Sequence, residues 1–428
     1  MVCKMIDIIL KAIKDNGIEN YLIEEKVTKS AELFFIKKEL DMRRMKNVAH
    51  YKVTVYRDFE ENSEKYRGSS VVNIVPEMSE DMISHSVKEA YYAAQFVKNK
   101  YYDIVSGSKK EMKVMPSAFD NYTLAGACEE FVKALYKEDT REDAFINSAE
   151  FFIEKDVVRI VNSQGVDVAY TKYSAKGEFV VQCVTPQDVE LYQSFEYNDL
   201  DTEALSKQAV EALDTVCARA NAHTAPKKGE YTVLLSGKNL AQLFEYYIAR
   251  TNVGYIYAGI SDLKPGDNVQ KEDAKGEKVN VTLKSTNPYS PEGVEMKDVE
   301  IVKNGEVKNI YGGVRMSRYL GVEPTGVPDG VAVDNGTVSF EDMKKTPYLY
   351  VVNFSDFSVN PLTGFFGGEI RLGYLFDGNN TIPVTGGSIN GNFIELQNNL
   401  VFTKERYKDS KYEGPFAVKI EHVQVAGE

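Results

Sequence analysis

The chain has 428 residues, of which 43% are apolar and 27% are charged, and its formal net charge is −13. This length is more than one ordinary core accommodates, so two or three domains are expected. An acidic protein repels phosphate backbones, and the short basic run at 42–46 is too small to form a nucleic-acid site. We therefore expect no nucleic-acid partner.

The amino terminus predicts a helix rather than an export signal, because Lys and Asp interrupt its apolar residues. No stretch approaches the roughly 20 apolar residues that a membrane span needs. Without export, the four cysteines should be reduced thiols, and their spacing matches no Cys-x-x-Cys pair. We expect a cytoplasmic protein that has no membrane partner.

Residues 1–110 predict a first α/β lobe. After a first helix that ends near Asn16-Gly17, strand-like segments occur at 31–36, 51–55 and 69–75. Ser79 is a predicted N-cap for a helix with a continuous apolar stripe.

Residues 111–224 predict a second α/β lobe. Helices are expected at 124–135 and 202–220, and strands at 151–161 (one strand or two), 166–170 and 178–184. The segments 30–34 and 148–152 have similar sequences, and each opens a strand followed by more strands and a helix. Two related lobes are indicated, although so short a match does not establish a duplication.

Residues 225–428 predict a mostly β carboxy-terminal domain. The segment 225–229 is the clearest linker, by its Pro, Gly and charge content. Hairpins are expected at Asn304-Gly305 and at 377–380, and helices at 240–250 and 314–320. The predicted fold class is therefore α+β, with an α/β amino-terminal region of two lobes followed by this domain.

A hydrolase needs an activated nucleophile or a metal-bound water, and histidine commonly serves as the base or the metal ligand. The chain has four, at positions 50, 85, 223 and 422. None is followed by Glu and no two lie within one helical turn, so a two-histidine zinc motif is absent. No Gly-x-Ser-x-Gly or phosphate-binding loop occurs either. Taken alone, the helix at 240–250 has the pattern of an ordinary packed helix.

Several segments together resemble the TldD/PmbA family. In chain order they are 162–165 with Tyr170, 285–288, 291–294, 303–305, 316–321, 368–375, 382–384, 389–393 and 425–427. The resemblance covers most of the chain and is strongest after residue 160. No single segment is diagnostic, but their order over more than 200 residues makes chance a poor explanation.

The resemblance implies a metallopeptidase fold without its metal site. TldD-type members carry His-Glu-x-x-x-His on a helix after a strand and a cysteine near the carboxy terminus. An ungapped alignment places Glu245 and Arg250 at the two histidine positions and Tyr246 at the catalytic glutamate, and no cysteine follows Cys217. The resemblance therefore implies no catalytic residue, no metal ligand and no bound cofactor here, with zinc on a partner subunit.

The implied function is that of a TldE/PmbA-type non-catalytic subunit of a TldD-type metallopeptidase complex, which processes or degrades unfolded peptides. Its partner would be a TldD-type subunit in a heterodimer, or a second copy in a homodimer. Two alternatives stay open: a self-sufficient peptidase using Glu245 with Asp356 or Glu369, and a protein-binding modulator of DNA gyrase.

Candidate peptide-binding residues are polar residues at the ends of predicted elements in the β domain: Arg315, Asn353, Ser355, Asp356 and Asn392. Ordinary turn or cap chemistry is the competing interpretation for each of them. Peptide specificity and the identity of the partner do not follow from the sequence.

Overall fold

In the first half of the chain, helices flank runs of long strands, and in the second half strands predominate. The structure is a computed structural model that describes the backbone of residues 2–427 and the side chains of residues 5–427. The helices are α1 Val2–Asp15, α2 Glu80–Ala94, α3 Leu124–Tyr136, α4 Thr202–Asn221, α5 Gly237–Leu243, α6 Glu245–Arg250, α7 Val253–Tyr257, α8 Val314–Tyr319, α9 Phe340–Met343 and α10 Phe393–Leu396. The strands are β1 Asn20–Ile36, β2 Glu39–Glu61, β3 Glu64–Ile74, β4 Lys113–Val114, β5 Ala144–Asn162, β6 Asp167–Cys183, β7 Val189–Tyr197, β8 Gly229–Ser236, β9 Val281–Lys284, β10 Val299–Lys303, β11 Glu306–Val307, β12 Gly330–Val333, β13 Tyr348–Val359, β14 Phe365–Phe376, β15 Thr381–Val384, β16 Ser388–Asn392, β17 Val401–Phe402, β18 Arg406–Lys408, β19 Tyr412–Pro415 and β20 Ala417–Ala426.

The first seven strands form one sheet, in the order β3-β2-β1-β5-β6, with β4 and β7 both paired to β6. The unit α1-β1-β2-β3-α2 is followed by α3-β5-β6-β7-α4, so one arrangement occurs twice along the chain. The similar segments 30–34 and 148–152 lie on the adjacent strands β1 and β5, where the rings of Phe34 and Phe152 are 5.6 Å apart. The two predicted lobes therefore join in a continuous sheet.

Both helix pairs pack on the same face of this sheet. Ile23 of β1 belongs to the core under α1 and α2, and Leu33 packs against the core under α3 and α4. Side chains on a strand alternate between faces, so these two odd-numbered residues point the same way. Even-numbered residues such as Glu24 and Glu32 lie on the opposite face. Ser79 caps α2 by accepting a hydrogen bond from the Met82 amide, as predicted.

The carboxy-terminal domain contains a closed barrel and a second sheet. Five strands close the barrel in the order β13-β8-β20-β16-β14, because β13 pairs with both β8 and β14. The second sheet has the order β11-β10-β9-β12-β19-β18. Buried residues of both, including Val233, Ile301 and Val418, belong to one hydrophobic cluster. The mostly β domain expected from the sequence is confirmed.

Several predicted elements differ from the observed ones in extent. The segments 31–36 and 51–55 are parts of the much longer β1 and β2, and 151–161 lies within the single strand β5. The two strands predicted at 166–170 and 178–184 are one strand, β6, and β7 was missed. The face of the sheet that lacks helices tolerates polar residues, so the length of an apolar run underestimates the length of these strands.

The turn predictions were more accurate. Asn304 and Gly305 have positive φ angles of 51° and 75°, which a type I′ turn requires. The segment 377–380 joins β14 to β15 as the second predicted hairpin. The predicted helix at 240–250 is instead interrupted at Phe244, between α5 and α6. Over residues 2–427, no helix combines the length and apolar character needed to cross a membrane.

Candidate functional site

The helix α6 carries the three positions that the resemblance aligns with a zinc motif. Tyr246 and Tyr247 are buried, and both rings pack edge-on against Phe393, at 5.7 and 5.5 Å. The Tyr247 hydroxyl also donates a 2.6 Å hydrogen bond to Gln397 Oε1. Glu245 is exposed, although partial desolvation raises the pKa of its carboxyl. This helix is therefore held by aromatic packing.

Arg250 at the end of α6 anchors the chain that follows α7. Its Nη2 donates to Asp262 Oδ1 at 2.6 Å, and its backbone oxygen accepts from Ser261 Oγ at 2.6 Å. The guanidinium lies 6.0 Å from the centre of the Tyr246 ring. A cation at this position repels a metal ion, and a tyrosine beside it supplies no carboxylate.

These residues do not fit a catalytic zinc ion, which takes about three His, Cys or carboxylate ligands and an open position. Among the side chains of residues 5–427, no three His, Cys, Asp or Glu groups are grouped so that they could hold a metal. Of the three aligned positions, Glu245 alone is a ligand type, and no reaction step through a metal is derived for this chain.

A cavity of about 420 Å³ lies close to this helix, and Asn252, two residues after Arg250, forms part of its lining. One wall is the face of the amino-terminal sheet that lacks helices, and the other consists of loops and helix ends of the carboxy-terminal domain. The sheet contributes Leu22, Glu24, Lys52, Thr54, Tyr56, Ser69 and Val71, joined by Tyr102, and the other wall contributes Asn252, Val253, Gly254, Pro291, Glu292, Gly313, Arg315, Met316 and Val327. A volume of several hundred Å³ is in the range of ligand pockets.

Both signs of charge line this cavity. Glu292 accepts a 2.9 Å hydrogen bond from the amide of Val314 at the start of α8, and burial raises the pKa of its carboxyl. Arg315 donates to Asn99 Oδ1 at 2.6 Å, which fixes one end of its guanidinium. Burial, with a contribution from Glu292, raises the pKa of Tyr102 to about 12. The tyrosine is therefore a neutral hydrogen-bonding group at physiological pH.

Glu24 and Lys52 are directly opposite each other in the β1–β2 register. They add a second carboxylate and a second cation to the cavity wall. A cavity with two carboxylates, two cations and several neutral polar groups matches a ligand that carries both hydrogen-bond donors and acceptors.

The structure brings one of the five predicted peptide-binding residues, Arg315, into this cavity. Asn353, Ser355 and Asp356 lie on β13 of the barrel, where Ser355 Oγ accepts from Arg371 at 3.1 Å. Asn392 caps α10 and donates to the Thr363 carbonyl at 3.2 Å. These four residues do not line the cavity, and their proposed contact with peptide stays a prediction.

Sequence reasoning missed Glu24, Lys52, Asn252 and Glu292. Glu292 lies within the Pro-Glu-Gly-Val segment used for the resemblance, so that segment was a usable signal. Glu24 and Lys52 lie on the polar side of strands whose residues alternate between polar and apolar, and such a side usually faces solvent. That alternation does not indicate that a second domain packs against the polar side.

Comparison with known proteins shows what the carboxy-terminal domain and the whole fold resemble. Residues 228–427 match the PmbA/TldA metallopeptidase C-terminal domain. The fold of the whole chain resembles that of a Thermotoga maritima protein described as a candidate modulator of a DNA gyrase, with a TM-score of 0.78, 18% identity and complete coverage of both chains. The carboxy-terminal domain, just under half of the chain, therefore resembles the C-terminal domain of the PmbA/TldA metallopeptidases.

Two further solved structures share the fold, and one sequence relative matches part of the chain. TldE from Thermococcus kodakarensis has a TM-score of 0.76 at 16% identity, over 98% of this chain and all of that one. A candidate modulator of DNA gyrase from Bacteroides thetaiotaomicron has a TM-score of 0.77 at 16% identity, over 98% and 97% of the two chains. An uncharacterised protein of Methanocaldococcus jannaschii is 26% identical over 282 residues, which span 59% of this chain and 63% of that protein, less than two thirds of its length.

Proposed function

We propose that this chain belongs to the TldD/PmbA family and is a TldE/PmbA-like non-catalytic subunit of a TldD-type metallopeptidase complex that processes or degrades unstructured peptides in the cytoplasm. The observation that carries the proposal is the occupation of the aligned zinc positions by Glu245, Tyr246 and Arg250, with Arg250 engaged by Asp262. A chain with the family fold and without ligands for zinc can still contribute surface to a complex.

The cavity supports a role in holding peptide. Its cations, Lys52 and Arg315, suit carbonyl and carboxylate oxygens, and its carboxylates suit peptide N–H groups. Zinc and water activation would then come from the partner subunit, and this chain would position the peptide.

The proposal is tested with the purified chain and a TldD-type protein from the same cell. Zinc content and hydrolysis of an unstructured fluorogenic peptide are measured for each protein alone and for the mixture. We expect the chain alone to hold no stoichiometric zinc and to be inert, and the mixture to elute as an active complex. Zinc binding and cleavage by the isolated chain, or failure to form a complex, would contradict the proposal.

The role of the cavity is tested in the same complex with two arginines of α8. Arg315→Ala should lower kcat/KM about tenfold, since a charged hydrogen bond is worth roughly 1.5 kcal/mol. Arg318 pairs with Glu323 and does not line the cavity, so Arg318→Ala is the matched control and should leave kcat/KM unchanged.

The assay of the isolated chain also decides the self-sufficient alternative. Asp356 and Glu369 lie on the paired strands β13 and β14, and Arg371 is 3.3 Å from Glu369. No specific contact favours a catalytic role for them. The gyrase alternative rests on the descriptions of two structural relatives, and no surface formed by the described side chains, residues 5–427, singles out that partner.

A further inference from the structure

The strand β2 has an unpaired edge along its first half. It pairs with β1 from Glu39 to Tyr56, but β3 pairs with it only from Tyr51 to Glu61. Within residues 2–427, no strand pairs with the other side of β2 between Glu39 and His50. Every second residue of this segment therefore presents its backbone N–H and C=O to solvent.

Large apolar side chains are exposed along this edge, which is unusual because natural edge strands are normally shielded. They are Leu40, Met42, Met45 and Val48, of which Met45 is 76% exposed. Met45 lies on the face that carries the helices elsewhere in the sheet, and so does Leu40, which pairs with Phe35 beyond a bulge; Met42 and Val48 lie on the opposite face. A strand added at this edge would cover apolar surface on both faces.

The charges beside these apolar residues are mostly positive, in a chain whose net charge is −13. Arg44 and Lys46 share the buried carboxylate of Glu32, at 2.5 and 2.7 Å, and Arg44 also interacts electrostatically with Glu150. Arg43 points to the other face and makes no ion pair among the side chains of residues 5–427. The two acidic residues, Glu39 and Asp41, lie next to the hairpin turn.

From this combination we propose that the edge of β2 from Glu39 to His50 binds an extended polypeptide segment rich in carboxylate and apolar side chains, which pairs with it as an additional strand. Main-chain hydrogen bonds would supply much of the affinity, and side chains would supply the preference. Carboxylates belong opposite Arg43, Arg44 and Lys46, and apolar side chains opposite Leu40, Met42, Met45 and Val48. The site is separate from the cavity and does not depend on a zinc-bearing partner.

The probe is a fluorescein-labelled peptide, Val-Thr-Glu-Val-Glu-Glu-Val-Thr-Val, written to oppose residues 48 to 40 in antiparallel register. The same peptide with Lys in place of Glu is the charge control, and a version N-methylated at alternate residues is the backbone control. Fluorescence anisotropy with the full chain should give a Kd about tenfold lower for the acidic peptide than for the lysine peptide, since three cross-strand charge pairs reverse sign. The N-methylated peptide should not bind.

Variants locate the site on β2. Arg43→Glu and Met45→Glu should each raise the Kd of the acidic peptide about fivefold, as expected for loss of one favourable cross-strand pair and introduction of repulsion. Met82→Glu, at an exposed position of α2, is the matched control and should leave the Kd unchanged. Both edge side chains are exposed, so thermal melts should confirm folding, and hydrogen exchange should slow at residues 39–50 when the acidic peptide is present.

Equal binding of the two charged peptides, or unchanged affinity of both Arg43→Glu and Met45→Glu, would overturn the proposal. So would slowed exchange confined to another segment. If sedimentation reveals a dimer of this chain that Met45→Glu converts to monomer and the acidic peptide does not dissociate, the edge is an interface between two copies and the proposal is wrong.

Discussion

Arg250 donates a 2.6 Å hydrogen bond to the carboxylate of Asp262, at the position aligned with the second histidine of the zinc motif. The Arg250 side chain is 14% exposed, whereas that of Asp262 is 91% exposed. The pair therefore has one shielded and one fully solvated member, and its energy is that of a screened surface ion pair.

Arg250→Ala should lower the free energy of unfolding by about 1 kcal/mol, because it removes this pair together with the packing of the guanidinium stem. Asp262→Ala removes only the charge interaction and should cost less than about 0.5 kcal/mol. Urea denaturation of the two variants and the parent measures the difference. Equal losses would mean that Arg250 contributes nothing beyond its ion pair.

Tyr247→Phe should destabilise the chain by about 1–2 kcal/mol, because it leaves the buried Gln397 Oε1 without its 2.6 Å hydrogen bond. Tyr246→Phe removes a neighbouring hydroxyl for which no hydrogen bond is found among residues 5–427, and should cost less than about 0.5 kcal/mol. Thermal or urea unfolding compares the pair. A neutral Tyr247→Phe would show that Gln397 finds another donor.

Gly305→Ala, in the β10–β11 hairpin, should lower the free energy of unfolding by more than Gly321→Ala, in the turn after α8. Both glycines have positive φ, at 75° and 69°, and a left-handed conformation costs a side chain about 1–2 kcal/mol. A Cβ at position 305 would additionally lie 2.8 Å from Gln270 Oε1, whereas nothing lies within 4 Å of one at position 321. The difference between the two unfolding free energies isolates this contact; equal values would mean that Gln270 moves aside.

The free energy of unfolding of Glu295→Gln should depend less on pH in the acidic range than that of the parent. Hydrogen bonds from Lys113 and Lys110, each at 3.0 Å, lower the pKa of Glu295 from 4.5 to about 2. A depressed carboxyl pKa stabilises the folded state above the unfolded pKa, and this contribution is lost as pH falls through the folded value.

The parent should therefore exceed the Glu295→Gln variant in unfolding free energy at pH 7, by less than about 1 kcal/mol because the groups are largely exposed. The difference should shrink between about pH 5 and pH 2, and should also shrink in 1 M salt. Urea denaturation across that range measures it. A constant difference would assign the effect to packing.

How much of the fold could be predicted depended on how local its determinants are. The type I′ turn at Asn304-Gly305 and the N-cap at Ser79 follow from neighbouring residues, and both were confirmed. The break at Phe244 could not be predicted, because its ring packs against Phe402 and Tyr412, which come about 160 residues later. Tertiary packing decided that break rather than helix propensity.

Less of the candidate site than of the fold could be predicted from the sequence. The replacement of both motif histidines, by Glu245 and Arg250, was readable directly, and Arg315 was named from its position near a predicted helix end. The cavity itself was not, because Glu24 and Lys52 meet Glu292 and Arg315 only when two domains pack together. Such proximity leaves no periodic signal within either segment.

The pairing of β8 with β20 has a consequence for synthesis of the chain. These are the first and last strands of the barrel, with Gly229 opposite Val425. Translation proceeds from the amino terminus, so β20 is synthesised nearly 200 residues after β8. During that time β8 lacks one of its two partner strands. Until β20 has emerged from the ribosome, the barrel has an open seam and α6 lacks part of its packing. A nascent chain should therefore depend on chaperones for longer over its second half than over its first.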